Sequence, residues 1–280
     1  MPADIFAAAA GLLAAALWGA GDFGGGIAAK RLPVFITLLG VQGVGLVGAI
    51  GGVLLLGEPL PTPGDAALAA AAGICGAVGL AGLYRALADG RMGIVAPVTG
   101  LLAAAIPVVV GIGLAGLPGP VRLAGFATGL LAIVLVSLSD DGATGRDGLL
   151  LAVGAGIAFG LYSTCIGQVS RGVLAPLVVS RGTSVTLVAA IVAATRPAVR
   201  ADARRVALVV TVGLLDLGGN ACFLLAAHAG GLALAAVLGS LYPVATVVLA
   251  AAVLRERIGR VHAVGIGAAG LAALLIVGGA

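Results

Sequence analysis

Charge is scarce in this sequence. Only 9% of its 280 residues are Asp, Glu, Lys or Arg, whereas an ordinary soluble domain contains about 25%. Apolar residues make up 61%, and a soluble fold would lack the polar shell needed to cover so much apolar surface. These proportions exclude a cytosolic enzyme, a secreted domain and a disordered chain. The net charge of +4 is a small excess of basic residues, typical of loops that set membrane topology, so no nucleic-acid partner is predicted.

Residue clusters that carry metal or covalent chemistry are also missing from the sequence. The three cysteines, Cys75, Cys165 and Cys222, each stand alone in an apolar stretch, without the close spacing of a zinc site. Neither an HExxH motif nor a GxxxxGK[ST] phosphate loop occurs. We therefore predict no metal, no cofactor, no ATP hydrolysis and no enzymatic activity.

Long apolar runs dominate what remains, and each is close to the roughly 20 residues that cross a bilayer as a helix. Helices satisfy all their backbone groups internally, and a barrel would instead show alternating polar and apolar residues. The predicted fold is thus an all-α integral membrane protein with ten transmembrane helices in the lipid bilayer. The ten predicted spans are 5–28, 33–56, 66–88, 93–115, 121–138, 149–170, 173–194, 205–228, 231–253 and 261–279.

Weak internal repetition divides the spans into two groups of five. A shift of 140 residues places Gly73 on Gly213, and a shift of 144 places residues 17–18 on residues 161–162. Because five is odd, the second group must cross the membrane in the opposite sense to the first. We therefore predict two inverted five-helix repeats, one formed by residues 1–140 and the other by residues 141–280.

The basic residues predict an orientation. Loops rich in Lys and Arg face the cytoplasm of a bacterial inner membrane, which places both termini of this chain outside the cell. The odd-numbered loops contain Lys30, Arg31, Arg91, Arg146, Arg196, Arg200, Arg204, Arg205, Arg255, Arg257 and Arg260, and the even-numbered loops contain Arg122 and Arg171.

Several short motifs resemble those of EamA-type members of the drug/metabolite transporter superfamily. The resemblance implies a carrier with two five-helix repeats that moves a small metabolite by alternating access, without ATP. It names neither the substrate nor the direction of transport, and a monomer and a homodimer both fit it. In the first half the motifs are Leu17-Trp18-Gly19, Tyr84-Arg85-Ala86-Leu87 and Val95-Ala96-Pro97, and in the second half Leu241-Tyr242-Pro243-Val244, Leu254-Arg255-Glu256-Arg257 and Gly265.

Polar residues inside the spans are the candidates for a binding cavity. Asp216 lies near the centre of the eighth span, where a carboxylate costs about 2.5–3.5 kcal/mol on insertion scales and is a functional candidate by default. Asn220 follows at i+4 on the same helix face. The pair either lines a cavity that binds substrate or a proton, or joins helices together. No span is expected to hold a basic residue at the depth of Asp216, because Arg181 is predicted to reach the headgroups.

Aromatic residues and a second carboxylate extend this set of candidates. Trp18 and Tyr162 occupy matching repeat positions, and Tyr84 and Tyr242 lie in the motifs given above. Each either lines the cavity or fills space in the helix packing. The position of Asp22 in the first span fits a side chain in the cavity and a side chain at the lipid headgroups equally well.

Three prolines and one charged pair have predicted mechanical or structural roles. Pro97, Pro107 and Pro243 interrupt their spans and are candidate hinges of a gate. Glu256 and Arg257 are read as a local ion pair at a helix end. The alternative to a carrier is a polytopic membrane enzyme that acts on a lipid-linked substrate.

Overall fold

The chain forms helices throughout the parts that the structure describes. The computed structural model describes residues 3–88, 92–137, 146–198, 202–254 and 259–279, and its secondary structure in these ranges is α-helical, without strands. In chain order the helices are α1 (Ala3–Ala29), α2 (Val34–Leu56), α3 (Pro63–Ala88), α4 (Met92–Ala115), α5 (Pro120–Ser137), α6 (Arg146–Gly167), α7 (Leu174–Thr195), α8 (Ala203–Gly230), α9 (Leu232–Gly239), α10 (Tyr242–Leu254) and α11 (Arg260–Gly278).

Many of these helices present apolar side chains outward. Leu55 and Leu274 are 88% and 73% exposed, an arrangement that suits lipid and not water. By length and composition, six described helices can cross a membrane, and four shorter apolar helical segments accompany them. The prediction of an all-α, multi-pass membrane protein is therefore confirmed. The six longer spans are Ala3–Ala29, Val34–Leu56, Pro63–Ala86, Leu150–Gly167, Leu174–Thr195 and Ala203–Gly230.

The predicted span 231–253 is not one continuous helix. A turn at Ser240 and Leu241 separates α9 from α10, and Leu241 N–H bonds to the carbonyl of Leu238, three residues back, at 3.2 Å. Pro243 explains the break, because proline has no N–H and its ring would clash with the carbonyl of Gly239 in a regular helix.

The other two candidate hinges do not interrupt their helix. Pro97 and Pro107 both lie within α4, which continues from Met92 to Ala115. The expectation that each proline interrupts its span therefore holds at Pro243 and is wrong for the two prolines of α4. Whether any of them acts as a hinge stays a prediction.

Helices of the first half pack against helices of the second half in matching pairs. The contact of α1 with α8 corresponds to the contact of α6 with α3. In the same way, the contacts of α1 with α9 and α10 correspond to the contact of α6 with α4. Helix α2 contacts α7, α4 contacts α9, and α5 contacts α11. If α9 and α10 are taken together as one element, exchange of the two halves reproduces these contacts, although weaker ones, such as that of α1 with α11, lack a counterpart of similar size. The two halves therefore meet over several pairs of helices, among them α1 with α8 and α3 with α6.

One close approach between the halves depends on glycine. A Cβ atom at Gly19 of α1 would lie 2.5 Å from the carbonyl oxygen of Tyr242 and 2.6 Å from Cβ of Ala245. Only a residue without a side chain allows this contact between α1 and α10. Gly19 therefore fixes the position of the middle of α1, where the candidate site begins.

Candidate functional site

A cavity lies between the two halves, among the central turns of the helices. Its empty volume, which includes space open to solvent, is about 650 Å³. Its polar lining consists of Asp22, Gln42, Ser163, Ser180, Arg181, Ser184, Asp216, Asn220 and Ser240, and its aromatic lining consists of Trp18, Phe159, Tyr162 and Tyr242.

An ion pair between α7 and α8 forms part of the cavity wall. Nη1 of Arg181 lies 2.5 Å from Oδ2 of Asp216, and the two side chains are 4% and 15% exposed. The same Nη1 donates a hydrogen bond to Oε1 of Gln42 on α2. A buried charge is tolerated best when it is paired and hydrogen-bonded. The charges of Arg181 and Asp216 are paired, whereas Nη2 of Arg181 has no hydrogen-bond partner among the described residues. Together with Gln42, the pair connects α2, α7 and α8 across the two halves.

This ion pair corrects two predictions made from the sequence. Arg181 does not reach the headgroups, and Asp216 is not without a basic partner. The physical reason is that Arg181 lies two turns inside α7, which starts at Leu174, so its side chain reaches α8 more readily than the membrane surface. One signal in the sequence points to this arrangement, because a shift of 139 residues places Gln42 on Arg181.

A second chain of hydrogen bonds connects α6 and α8. The hydroxyl of Tyr162 donates to Oδ1 of Asn220 at 2.6 Å, and Nδ2 of Asn220 donates to the backbone carbonyl of Asp216 at 2.6 Å. Asn220 is buried, so its amide is held in one orientation by two fixed partners. The structure thus brings three sequence-predicted candidates, Tyr162, Asp216 and Asn220, to one side of the cavity.

Trp18 closes the neighbouring side of the cavity from α1. Its ring lies 5.5 Å from the ring of Phe223, measured between centroids, at an interplanar angle of 37°. A Cβ atom at Gly219 would lie 2.6 Å from Cδ1 of Trp18, so the indole packs directly on the backbone of α8. Packing on two sides restricts the indole and presents it to the cavity in a defined position.

Asp22 is the second carboxylate of the cavity. It lies four residues after Trp18 on α1 and lines the same space. Among the described residues, it forms neither a hydrogen bond nor an ion pair. The sequence leaves Asp22 undecided between cavity and headgroups, and the structure places it in the cavity.

The remaining candidates from the sequence separate into those at the cavity and those away from it. Tyr242 lines the cavity, and its hydroxyl is buried without a hydrogen-bond partner in the described part of the chain. Tyr84 is 1% exposed and packs in an apolar cluster with Leu38 and Leu83, so the structure places it outside the cavity lining. Glu256 and Arg257 lie outside the described residues.

Two carboxylates of the first half hold the loop before α7 on one side of the molecule. Glu58 accepts hydrogen bonds from the N–H groups of residues 173–175, at 2.6, 3.0 and 3.0 Å. Asp65 accepts hydrogen bonds from the N–H and hydroxyl of Ser170, at 2.7 and 2.9 Å. A carboxylate at a helix N-terminus satisfies N–H groups that lack partners within the helix. These contacts fasten the halves together at the end of α7 that precedes Arg181.

Comparison with known proteins identifies the second half of the chain. Residues 146–278 match the model of the EamA-like transporter family, and this segment begins with α6 and ends with α11. These residues therefore form an EamA-like domain of the drug/metabolite transporter superfamily, and the predicted resemblance is confirmed there. The family that these residues match is a transporter family.

Solved structures support the fold over nearly the whole chain. Twenty-seven chains of solved structures match this one. One of them, in a crystal structure of another protein, covers 96% of this chain and 95% of its own length, with a TM-score of 0.77 and 18% sequence identity. At that identity the similarity shows the fold alone. No curated protein matches the chain.

Proposed function

We propose that this protein is a secondary carrier that exports a small metabolite or drug across the cytoplasmic membrane by alternating access. The observation that carries this proposal is the polar cavity between the two halves of the chain. Polar groups inside membrane spans are costly. An ion pair, amide groups and aromatic rings around a cavity therefore do little to stabilise a bundle of apolar helices. Such a cavity suits a solute that is partly polar and must be shielded from lipid.

Alternating access requires two structural units that can move around a central site. The reciprocal helix contacts supply two candidate units, residues 1–140 and residues 141–280. With α9 and α10 counted as a single broken span, each unit contains five spans, and the second is then inverted relative to the first. A broken span beside a central cavity is also characteristic of carriers, since irregular backbone inside the membrane occurs where it lines a binding site.

The proposed site combines Trp18, Tyr162, Asp216, Asn220 and Tyr242 with three residues brought to it by the packing. The additional residues are Asp22, Gln42 and Arg181. Two carboxylates in the same cavity also make exchange of a proton for the solute part of the proposal. In such an exchange one carboxylate binds a proton when the solute has left and releases it when the solute binds.

Flux through purified protein in proteoliposomes tests the proposal. A resistance screen of an overproducing strain against toxic amino acids, nucleoside analogues and cationic dyes first supplies a solute. Solute flux that depends on the protein, responds to a pH gradient and is unaffected by ATP supports a proton-coupled carrier. Asn220→Ala should reduce this flux, and Leu55→Ala, on the outer apolar surface, should not. Turnover of a lipid-linked substrate without solute flux would instead establish a membrane enzyme.

A further inference from the structure

The charged groups that line the cavity do not balance. Asp22 and Asp216 contribute two carboxylates, and Arg181 contributes one guanidinium. Asp216 is held by Arg181 at 2.5 Å, whereas Asp22 has no ion pair or hydrogen bond with any residue that the structure describes. Asp22 is therefore the carboxylate that is left for a bound cation to pair with.

Arg181 is poorly placed to recognise an anion. Its Nη1 is already occupied by Asp216 and Gln42. Its Nη2 has no hydrogen-bond partner in the described part of the protein, but it is buried away from the open space. An anion that bound at Nη1 would have to displace Asp216.

The surroundings of Asp22 suit a positively charged group. Trp18 precedes Asp22 by four residues, so both side chains project from the same face of α1. The indole is fixed against Phe223, with 5.5 Å between ring centroids, and the ring of Tyr242 also lines the cavity. Aromatic faces attract cations within about 6 Å, most strongly when water is excluded. A carboxylate beside an aromatic ring is a common arrangement for binding ammonium groups.

We propose that Asp22 and Trp18 bind the ammonium group of a small organic cation, while the Arg181–Asp216 pair stays closed as part of the wall. This inference rests on the proposed function, because it takes the cavity as the substrate site. It assigns the substrate class as organic cations with an apolar body, since most of the remaining cavity surface is aromatic or aliphatic. It gives the cation-binding role to Asp22 and not to Asp216, the carboxylate that stands out in the sequence.

The single tryptophan of the chain allows a binding test that does not depend on transport. Choline and benzyltrimethylammonium, as chloride salts, are titrated into the purified full-length protein while Trp18 fluorescence is recorded. Two neutral compounds of similar shape, 3,3-dimethylbutan-1-ol and neopentylbenzene, in which carbon replaces the charged nitrogen, serve as uncharged counterparts. We expect a saturable change with at least one cation and none with its neutral counterpart.

Three variants at two carboxylates locate the site. Asp22→Asn should weaken cation binding by about tenfold or more, which corresponds to the loss of one ion-pair contact. Asp22→Glu, which keeps the charge, should restore part of the affinity. Asp4→Asn removes a carboxylate from the same helix that pairs with Arg122 outside the cavity and should bind like the wild type. Circular dichroism checks that each variant retains its helices.

The outcomes separate this inference from the proposed function. Equal binding of cations and neutral compounds, an absence of any response to cations, or wild-type binding by Asp22→Asn would overturn the cation site. If Asp22-dependent binding occurs without flux of any solute, the cation site stands and the carrier is rejected. If a neutral or anionic solute is transported and Asp22→Asn leaves its flux unchanged, the carrier stands and the cation site is rejected.

Discussion

Nη1 of Arg181 lies 2.5 Å from Oδ2 of Asp216, and both side chains are held in the interior of a membrane protein. Each charge is stable at this position because the other is present, and Gln42 adds a hydrogen bond to the guanidinium. Removal of one partner would leave the other as an uncompensated buried charge, which is more costly than removal of both. The pair is therefore expected to behave as a unit.

A double-mutant cycle tests this coupling. Asp216→Asn and Arg181→Gln should each lower the free energy of unfolding by about 3–5 kcal/mol, because each leaves a buried charge without its partner. The double variant should lose clearly less than the sum of the two. Unfolding of the purified proteins in one detergent, followed by circular dichroism, supplies the four values.

The control for this cycle is the ion pair between Asp4 and Arg122, at 3.0 Å and with side chains 41% and 22% exposed. Asp4→Asn should cost less than about 1 kcal/mol, as expected for a pair near the surface. Additive effects of Asp216→Asn and Arg181→Gln would mean that the two side chains do not depend on each other.

Most of the fold could be predicted from the sequence, because the apolar runs are set by the thickness of the bilayer. The site was harder to predict, because it depends on which helix faces meet. Asp216 stands out in the sequence as a carboxylate near the centre of a span. Its partner Arg181 comes from another helix, and only the packing of α7 on α8 brings the two side chains together. The sequence leaves Tyr84 open between the cavity and the helix packing, and the structure packs it in a cluster of buried apolar residues.

Glu58→Gln should weaken the connection between the halves at the start of α7. The carboxylate accepts three backbone N–H groups from residues 173–175, and a glutamine retains only one accepting oxygen without the charge. We expect the variant to lose about 1–3 kcal/mol of stability. Hydrogen exchange should become faster at these three amides and remain unchanged in the middle of α2.

A matched control for Glu58→Gln is Thr128→Ala, whose hydroxyl bonds only within its own helix, to the carbonyl of Ala124. This variant should leave the exchange of residues 173–175 unchanged. Equal exchange rates at residues 173–175 in Glu58→Gln and in the wild type would show that the Glu58 carboxylate does not hold this loop.

Orientation can be measured with cysteines placed in two exposed loops on opposite sides of the bundle. In a background without Cys75, Cys165 and Cys222, we expect Gly119→Cys to react with a membrane-impermeant thiol reagent on intact cells. Ala198→Cys should react only after the cells are permeabilised, because it lies in a loop rich in arginine, which the positive-inside rule places in the cytoplasm. The reverse pattern would place both termini inside.

Gly19→Ala should separate α1 from α10 and disturb the candidate cation site. A methyl group at this position would lie 2.5 Å from the backbone carbonyl oxygen of Tyr242, and a backbone atom cannot move aside as a side chain can. We therefore expect a loss of about 1–3 kcal/mol of stability from overpacking. Because Trp18 is the adjacent residue, its fluorescence maximum should also shift.

The control for Gly19→Ala is Gly43→Ala on α2, where an added Cβ would meet no atom within 4 Å. This substitution should keep or raise stability, since alanine favours a helix over glycine by up to about 1 kcal/mol, and it should leave Trp18 fluorescence unchanged. If Gly19→Ala behaved like Gly43→Ala, the close packing of α1 on α10 would not be required. The cation site on α1 would then not depend on this close contact. Cation affinity of Gly19→Ala, compared with that of the wild type, would measure the dependence.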